Sequence, residues 1–126
     1  MSDLEDDVME RLAARIAYTY ARLLTVCAAL PIPVALPKGL ITHQDTVPAV
    51  RRITEVITET LLPDEQRGQL VTAATMWLIA VDLHILLTDE GGEGFIEPRA
   101  IGALGVLILA QGDLDALGRW QALNPS

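Results

Sequence analysis

The chain has 126 residues, of which 51% are hydrophobic, and it carries a formal net charge of −8. This length predicts a single domain spanning residues 1–126. The acidic charge balance excludes nucleic-acid binding, which needs a basic surface. Because Cys27 is the only cysteine and the acidic start of the chain lacks the basic stretch of a signal peptide, we expect a cytoplasmic protein without disulfides.

The first predicted element is a helix from Leu4 to Leu30, in which apolar residues recur at helical spacing. Pro31 and Pro33 end it, because proline lacks a backbone donor and clashes with the preceding turn. Residues 31–46 follow, with three prolines and a glycine among several apolar residues. This composition predicts an irregular, proline-rich connector that packs against the rest of the protein.

The second predicted helix is amphipathic and begins near Thr46, which is expected to act as its N-cap. Pro48 would lie in the first turn, where a proline is tolerated. Apolar residues from Val50 to Leu61 alternate with charged residues at helical spacing. This pattern is typical of a helix that lies on the surface of a bundle.

The third predicted helix begins near Pro63 and ends at Leu87 or Thr88. Its segment 70–87, LVTAATMWLIAVDLHILL, is apolar around almost its whole circumference. The interruptions are Thr72, Thr75, Asp82 and His84. Such a helix must be covered by other helices, a second subunit or lipid. Membrane insertion is not expected, because a carboxylate near the bilayer centre is costly and the segment lacks basic flanks.

The fourth predicted helix begins at Pro98 and continues through RAIGALGVLILAQ, again apolar on all sides. Gly112 and Asp113 are expected to break the chain, and a short last helix carrying Leu114, Leu117 and Trp120 follows. No segment alternates with the period of a strand. The fold is therefore predicted to be all-α, a compact bundle of four principal helices plus a short C-terminal helix, with the proline-rich connector between helices one and two.

The acidic turn Asp89–Glu97 partly resembles an EF-hand calcium loop, with Asp89 at the first ligand position and Gly94 at the sharp turn. Gly91 and Ala100, however, stand where that loop needs a ligand and its bidentate glutamate. We therefore interpret the turn as an acidic connection between helices. With two histidines and one cysteine, the chain offers no pair at structural-zinc spacing, and no metal or cofactor is expected.

Asp82 and His84 are the titratable residues of the apolar segment 70–87. They lie about 200° apart on a helix, so they cannot hold one metal or substrate together. Asp82 is interpreted as a buried polar residue bonded to Thr75 or to an arginine of another helix. His84 is interpreted as a core or interface histidine. No catalytic residue is assigned, and an enzyme is not expected.

The excess of apolar surface favours a homo-oligomer, most simply a homodimer, that acts through protein–protein interaction as an adaptor, inhibitor or assembly component. The residues expected at its interface are Leu78, Ile85, Gly102, Gly105 and Leu109.

An alternative remains open. A small-molecule-binding protein or enzyme would place an apolar pocket between the helices, as helix bundles often do. The residues expected to line that pocket are Tyr20, Met76, Trp77, Asp82 and His84.

Overall fold

In the computed structural model, residues 3–39, 42–59, 61–90 and 96–125 are described, with backbone alone at 3–5, 58 and 89–90. These residues form helices and connecting segments, and no strand occurs among them. The elements in chain order are α1 (Asp3–Ala28), α2 (His43–Val56), a 3₁₀ turn (Ile57–Glu59), α3 (Asp64–Glu90) and α4 (Ile96–Leu123).

The helices form a bundle whose centre is the pair α3 and α4. α4 packs against both α3 and α1, while α2 packs against α3. Within the described residues, α1 and α2 do not pack directly against each other. The core draws on every helix and on the segment after α1, and its large buried side chains include Leu12, Leu23, Leu36, Ile53, Leu70, Trp77, Leu107 and Leu114.

Residues 29–39, the described part of the chain directly after α1, are irregular and fold back over the bundle. Their first turn is closed by the backbone N–H of Val34, which donates to the carbonyl of Cys27 at 3.0 Å. Leu36 is buried, and the carbonyl of Pro37 accepts a hydrogen bond from the hydroxyl of Tyr20 at 2.7 Å. This segment is therefore fixed to α1 by packing and by hydrogen bonds.

The start of α2 differs from the prediction. The N-cap is Thr42 and not Thr46, because Asp45 supplies the carboxylate that accepts the Thr42 backbone N–H at 3.3 Å. Thr46 is buried one turn later, and its hydroxyl donates to the Thr42 carbonyl at 3.3 Å. Pro48 consequently lies inside the helix.

The predicted break at Gly112 and Asp113 is absent, and α4 is one helix of 28 residues. An interior glycine costs a helix about 1 kcal/mol relative to alanine. The buried stripe of α4 continues past this point through Leu114 and Leu117, and burying each leucine contributes about 1.5–3 kcal/mol. Packing therefore outweighs the local cost, and a separate C-terminal helix does not form.

The acidic turn between α3 and α4 includes residues 91–95, which lie outside the described part of the chain. The comparison with a calcium loop therefore falls on residues that the structure does not describe.

Candidate functional site

Asp82 lies on the surface and not in the interior. The inward side of α3 is formed by residues such as Ala73, Trp77 and Ala80, and a residue five positions after Trp77 lies about 140° away around the helix. Thr75 is exposed as well. The interpretation of Asp82 as a buried carboxylate was therefore wrong, because a helix that is apolar all round does not reveal which side faces inward.

His84 is half-buried and lies against His43, the first residue of α2. Their ring centroids are 5.7 Å apart in an edge-to-face arrangement. The Nδ1 atom of His84 is buried and has no hydrogen-bond partner in the described part of the chain. Burial, and secondarily the neighbouring His43, lowers the pKa of His84 below its ordinary value. The neutral imidazole is thus the form that the fold favours.

Tyr20 and Trp77 form an aromatic pair between α1 and α3, with ring centroids 5.5 Å apart. The indole N–H of Trp77 donates to the carbonyl of Ile16 at 3.0 Å, and the Tyr20 hydroxyl is bonded to Pro37. Burial raises the pKa of Tyr20, and Cys27 adds to that shift. The donors of both side chains are already bonded, and both residues are largely buried, at 7% exposure for Tyr20 and 1% for Trp77.

An open groove of about 430 Å³ lies beside this pair, where α1 and α2 fail to meet. Tyr20 and Trp77 line it together with alanines of α1, the end of the connector and the first turn of α2. Besides Tyr20, its titratable lining residues among those described are Lys38 and His43. We call it the α1–α2 groove.

The five residues predicted to line one pocket do not come together. Tyr20 and Trp77 line the α1–α2 groove, whereas His84 lines a separate groove with Asp6 and Glu10. Met76 is partly buried against the core, and Asp82 lines neither groove.

Lys38 and His43 were not predicted at the α1–α2 groove. The available signal was the apolar, proline-rich connector that carries them toward α1. Because Lys38 and His43 are far from Trp77 in the sequence, their common position with Trp77 at one groove could not be predicted.

The chemistry available to these side chains is limited. In the described ranges, no three histidine, cysteine or acidic residues lie close enough to hold a metal ion. Cys27 is buried, and burial raises the pKa of its thiol to about 12. Because the thiolate is the reactive form, Cys27 is held in an inert state.

The predicted interface residues divide into two groups. Leu78 and Ile85 are partly buried against the core. Gly102 and Leu109 lie on the outer side of α4, where Leu109 is 61% exposed, and Gly105 is half-buried beside them. Two further isoleucines of the same helix are exposed, Ile101 at 53% and Ile108 at 59%.

Among the described residues, two helices are long and apolar enough to cross a membrane by length and composition, Asp64–Thr88 and Ile96–Leu123. In each, less than half of the most apolar window is buried inside the bundle, 39% and 33% respectively. More than half of each of these apolar windows is therefore not buried inside the bundle.

Nothing among known protein families, characterised proteins or solved structures matches this chain.

Proposed function

We propose that the protein acts through protein–protein interaction as a homodimer, with the outer face of α4 as its interface. The observation that carries this proposal is a stripe on that face in which large and small residues alternate. The stripe consists of Ile101, Gly105, Ile108 and Gly112, and we call it the α4 stripe.

The α4 stripe is narrow and uncharged; Ile101, Ile108 and Gly112 are exposed, and Gly105 is half-buried. At about 100° per residue, its four members lie within roughly 60° of one another, and they span about 16 Å along the helix axis. Residues 100–112 contain no charged side chain. A Cβ atom added at Gly105 or Gly112 meets nothing within 4 Å, so neither glycine is required by packing within the protomer.

The α4 stripe is complementary to itself under a two-fold axis. In an antiparallel pair centred between Gly105 and Ile108, Ile101 lies at the height of the second copy's Gly112, and Ile108 at the height of its Gly105. Each isoleucine then meets a position without a side chain, and the two backbones can approach closely. A contact of this kind closes on itself and forms a dimer, not a chain of copies.

A second copy fits these helices better than lipid does. Asp82 is exposed within the most apolar segment of α3, and Thr75, also exposed, lies on the same side. A carboxylate facing hydrocarbon costs about 2.5–3.5 kcal/mol, whereas at the edge of a protein interface it stays in contact with water. The proposal therefore describes a soluble dimer that serves as an adaptor, inhibitor or assembly component and has no reaction of its own.

Ile108→Asp tests the proposal. The protein is expected to sediment as a dimer at micromolar concentration, and the variant is expected to raise the dissociation constant at least tenfold, because it removes apolar burial and places two carboxylates at the interface. Leu61→Asp is the matched control: Leu61 is 83% exposed but lies outside α4. A monomer at these concentrations, or an equal effect of both variants, would contradict the proposal. Partition of the wild-type chain into phosphatidylcholine vesicles would assign the face to lipid.

A further inference from the structure

The α1–α2 groove is a gap in the wall of the bundle. α1 reaches α3 and α4, and α2 reaches α3, but the seam between α1 and α2 stays open in the described part of the chain. Ala13, Ala17 and Ala21 face this seam from α1, and all three are exposed. Their side chains are too short to close it. The resulting volume of about 430 Å³ falls in the range of about 300–1,000 Å³ that small-molecule sites occupy.

The inner end of the groove accepts apolar material. Tyr20 and Trp77 form it, and their hydroxyl and indole N–H are already bonded to the carbonyls of Pro37 and Ile16. Tyr20 is 7% and Trp77 1% exposed, so a ligand meets mainly alanine methyl groups and the small accessible part of the aromatic pair, neither of whose donors is free. Only a hydrocarbon portion of a ligand gains from this surface.

The outer end of the groove carries a positive charge. Lys38, the only lysine of a chain with a net charge of −8, lines it and is exposed. No carboxylate lies within salt-bridge distance of Lys38 in the described ranges. Asp45, the acid nearest to Lys38 in the sequence, accepts hydrogen bonds from the backbone N–H and the hydroxyl of Thr42, at 3.3 Å and 3.1 Å. Charge complementarity at this end favours an anion.

We propose that the α1–α2 groove binds a small amphipathic carboxylic acid, with its hydrocarbon body against Tyr20 and Trp77 and its carboxylate at Lys38. The class fits both ends of the groove. A fully polar anion would gain nothing from the inner end, and a neutral hydrocarbon would gain nothing from Lys38.

Tryptophan fluorescence provides a direct measurement. Trp77 lines the groove and the chain has one other tryptophan, Trp120, so Trp120→Phe leaves a single reporter. Decanoate below its micelle concentration is titrated into this variant, with 1-decanol as the neutral probe of equal chain length. We expect saturable changes with both probes and tighter binding of decanoate.

Two further variants separate the two ends of the groove, each in the Trp120→Phe background. Lys38→Met keeps the aliphatic stem and removes the charge; it is expected to weaken decanoate binding about three- to fivefold, the effect of one exposed ion pair, and to leave decanol unchanged. Ala17→Leu fills the groove from an exposed helical position and is expected to abolish both signals. Helix content by circular dichroism verifies that each variant is folded.

Three results would overturn the inference. Absence of a saturable Trp77 signal with decanoate removes the site. Equal decanoate affinity with and without Lys38 removes the carboxylate assignment. Unchanged binding in folded Ala17→Leu places the probe elsewhere. Ile108→Asp, which disrupts the proposed dimer face, is expected to leave decanoate binding unchanged, so that failure of the dimer and failure of the groove are distinguished.

Discussion

Single residues of this protein show how burial sets chemistry. Cys27 and His84 are both drawn into the bundle, and desolvation disfavours the charged form of each. The thiol of Cys27 is consequently held protonated, while the imidazole of His84 is held neutral. Opposite protonation outcomes thus follow from one physical cause, because the charged form is the thiolate in one case and the imidazolium in the other.

Stability is expected to fall on mild acidification because of His84. Its folded-state pKa lies below the ordinary value of 6.5, so the unfolded chain takes up its proton first as the pH drops. Stability is then fully present above about pH 6.5 and declines as the pH falls toward the folded-state pKa. Urea unfolding between about pH 7.5 and about pH 5.5 measures this decline, above the range in which ordinary carboxylates titrate.

His84→Gln is the matched variant for this measurement, since it removes the imidazole and keeps a polar side chain. Its stability is expected to depend less on pH in the same window. The groups that face His84 from other elements, His43, Asp6 and Glu10, remain in both proteins. An identical pH dependence of the two proteins would show that His84 does not carry the effect.

At the scale of single elements, α4 is the clearest case of tertiary packing overriding a local signal. Gly112 favours a helix end, yet the helix continues because Leu114 and Leu117 extend its buried stripe. Contacts to α1 hold the far end in place: Arg22 donates to Asp115 at 3.1 Å, and Gln121 donates to the Val26 carbonyl at 2.9 Å. The ion pair is about one-third exposed or more on each side, so it contributes at most about 1 kcal/mol.

Gly105→Leu tests whether the α4 stripe mediates association. In the protomer the new side chain starts in open space and replaces a poor helix former by a good one, so we expect unchanged or higher helix content. In the dimer it fills the gap opposite Ile108, and we expect association to weaken at least fivefold, measured by sedimentation equilibrium.

Gly68→Leu is the control for that variant. Gly68 is an exposed glycine inside α3, also with open space at its Cβ position, but it lies outside the α4 stripe. Its substitution is expected to leave association unchanged. If both glycine variants associate like the wild-type chain, close approach of the helices at Gly105 is not part of the interface.

At the scale of the whole molecule, the chain buries one set of apolar residues and leaves a second set on α3 and α4. Ile79 and Leu86 are exposed on α3, in addition to the residues of the α4 stripe and Leu109. Patches of this kind in soluble proteins mark sites of association. If the α4 stripe forms the proposed dimer interface, the stability of the protein includes the free energy of association and depends on protein concentration.

The midpoint of thermal unfolding is therefore expected to rise by several degrees when the protein concentration is raised about a hundredfold. Scanning calorimetry across that range measures the shift. Ile108→Asp is expected to remove most of the concentration dependence. A midpoint that does not change with concentration would indicate that the folded chain is a monomer.

The sequence by itself determined the helical class, the end of α1 before Pro31 and the start of α3 after Pro63, because proline and acidic first turns act locally. Only the tertiary structure decided which side of α3 faces inward. Residues 70–87 are apolar around the whole helix, so their pattern does not indicate which side packs against the core. The exposure of Asp82 could therefore not be predicted from the sequence. The α1–α2 groove is likewise a product of tertiary structure, since its walls come from segments far apart in the chain that meet only when the bundle forms.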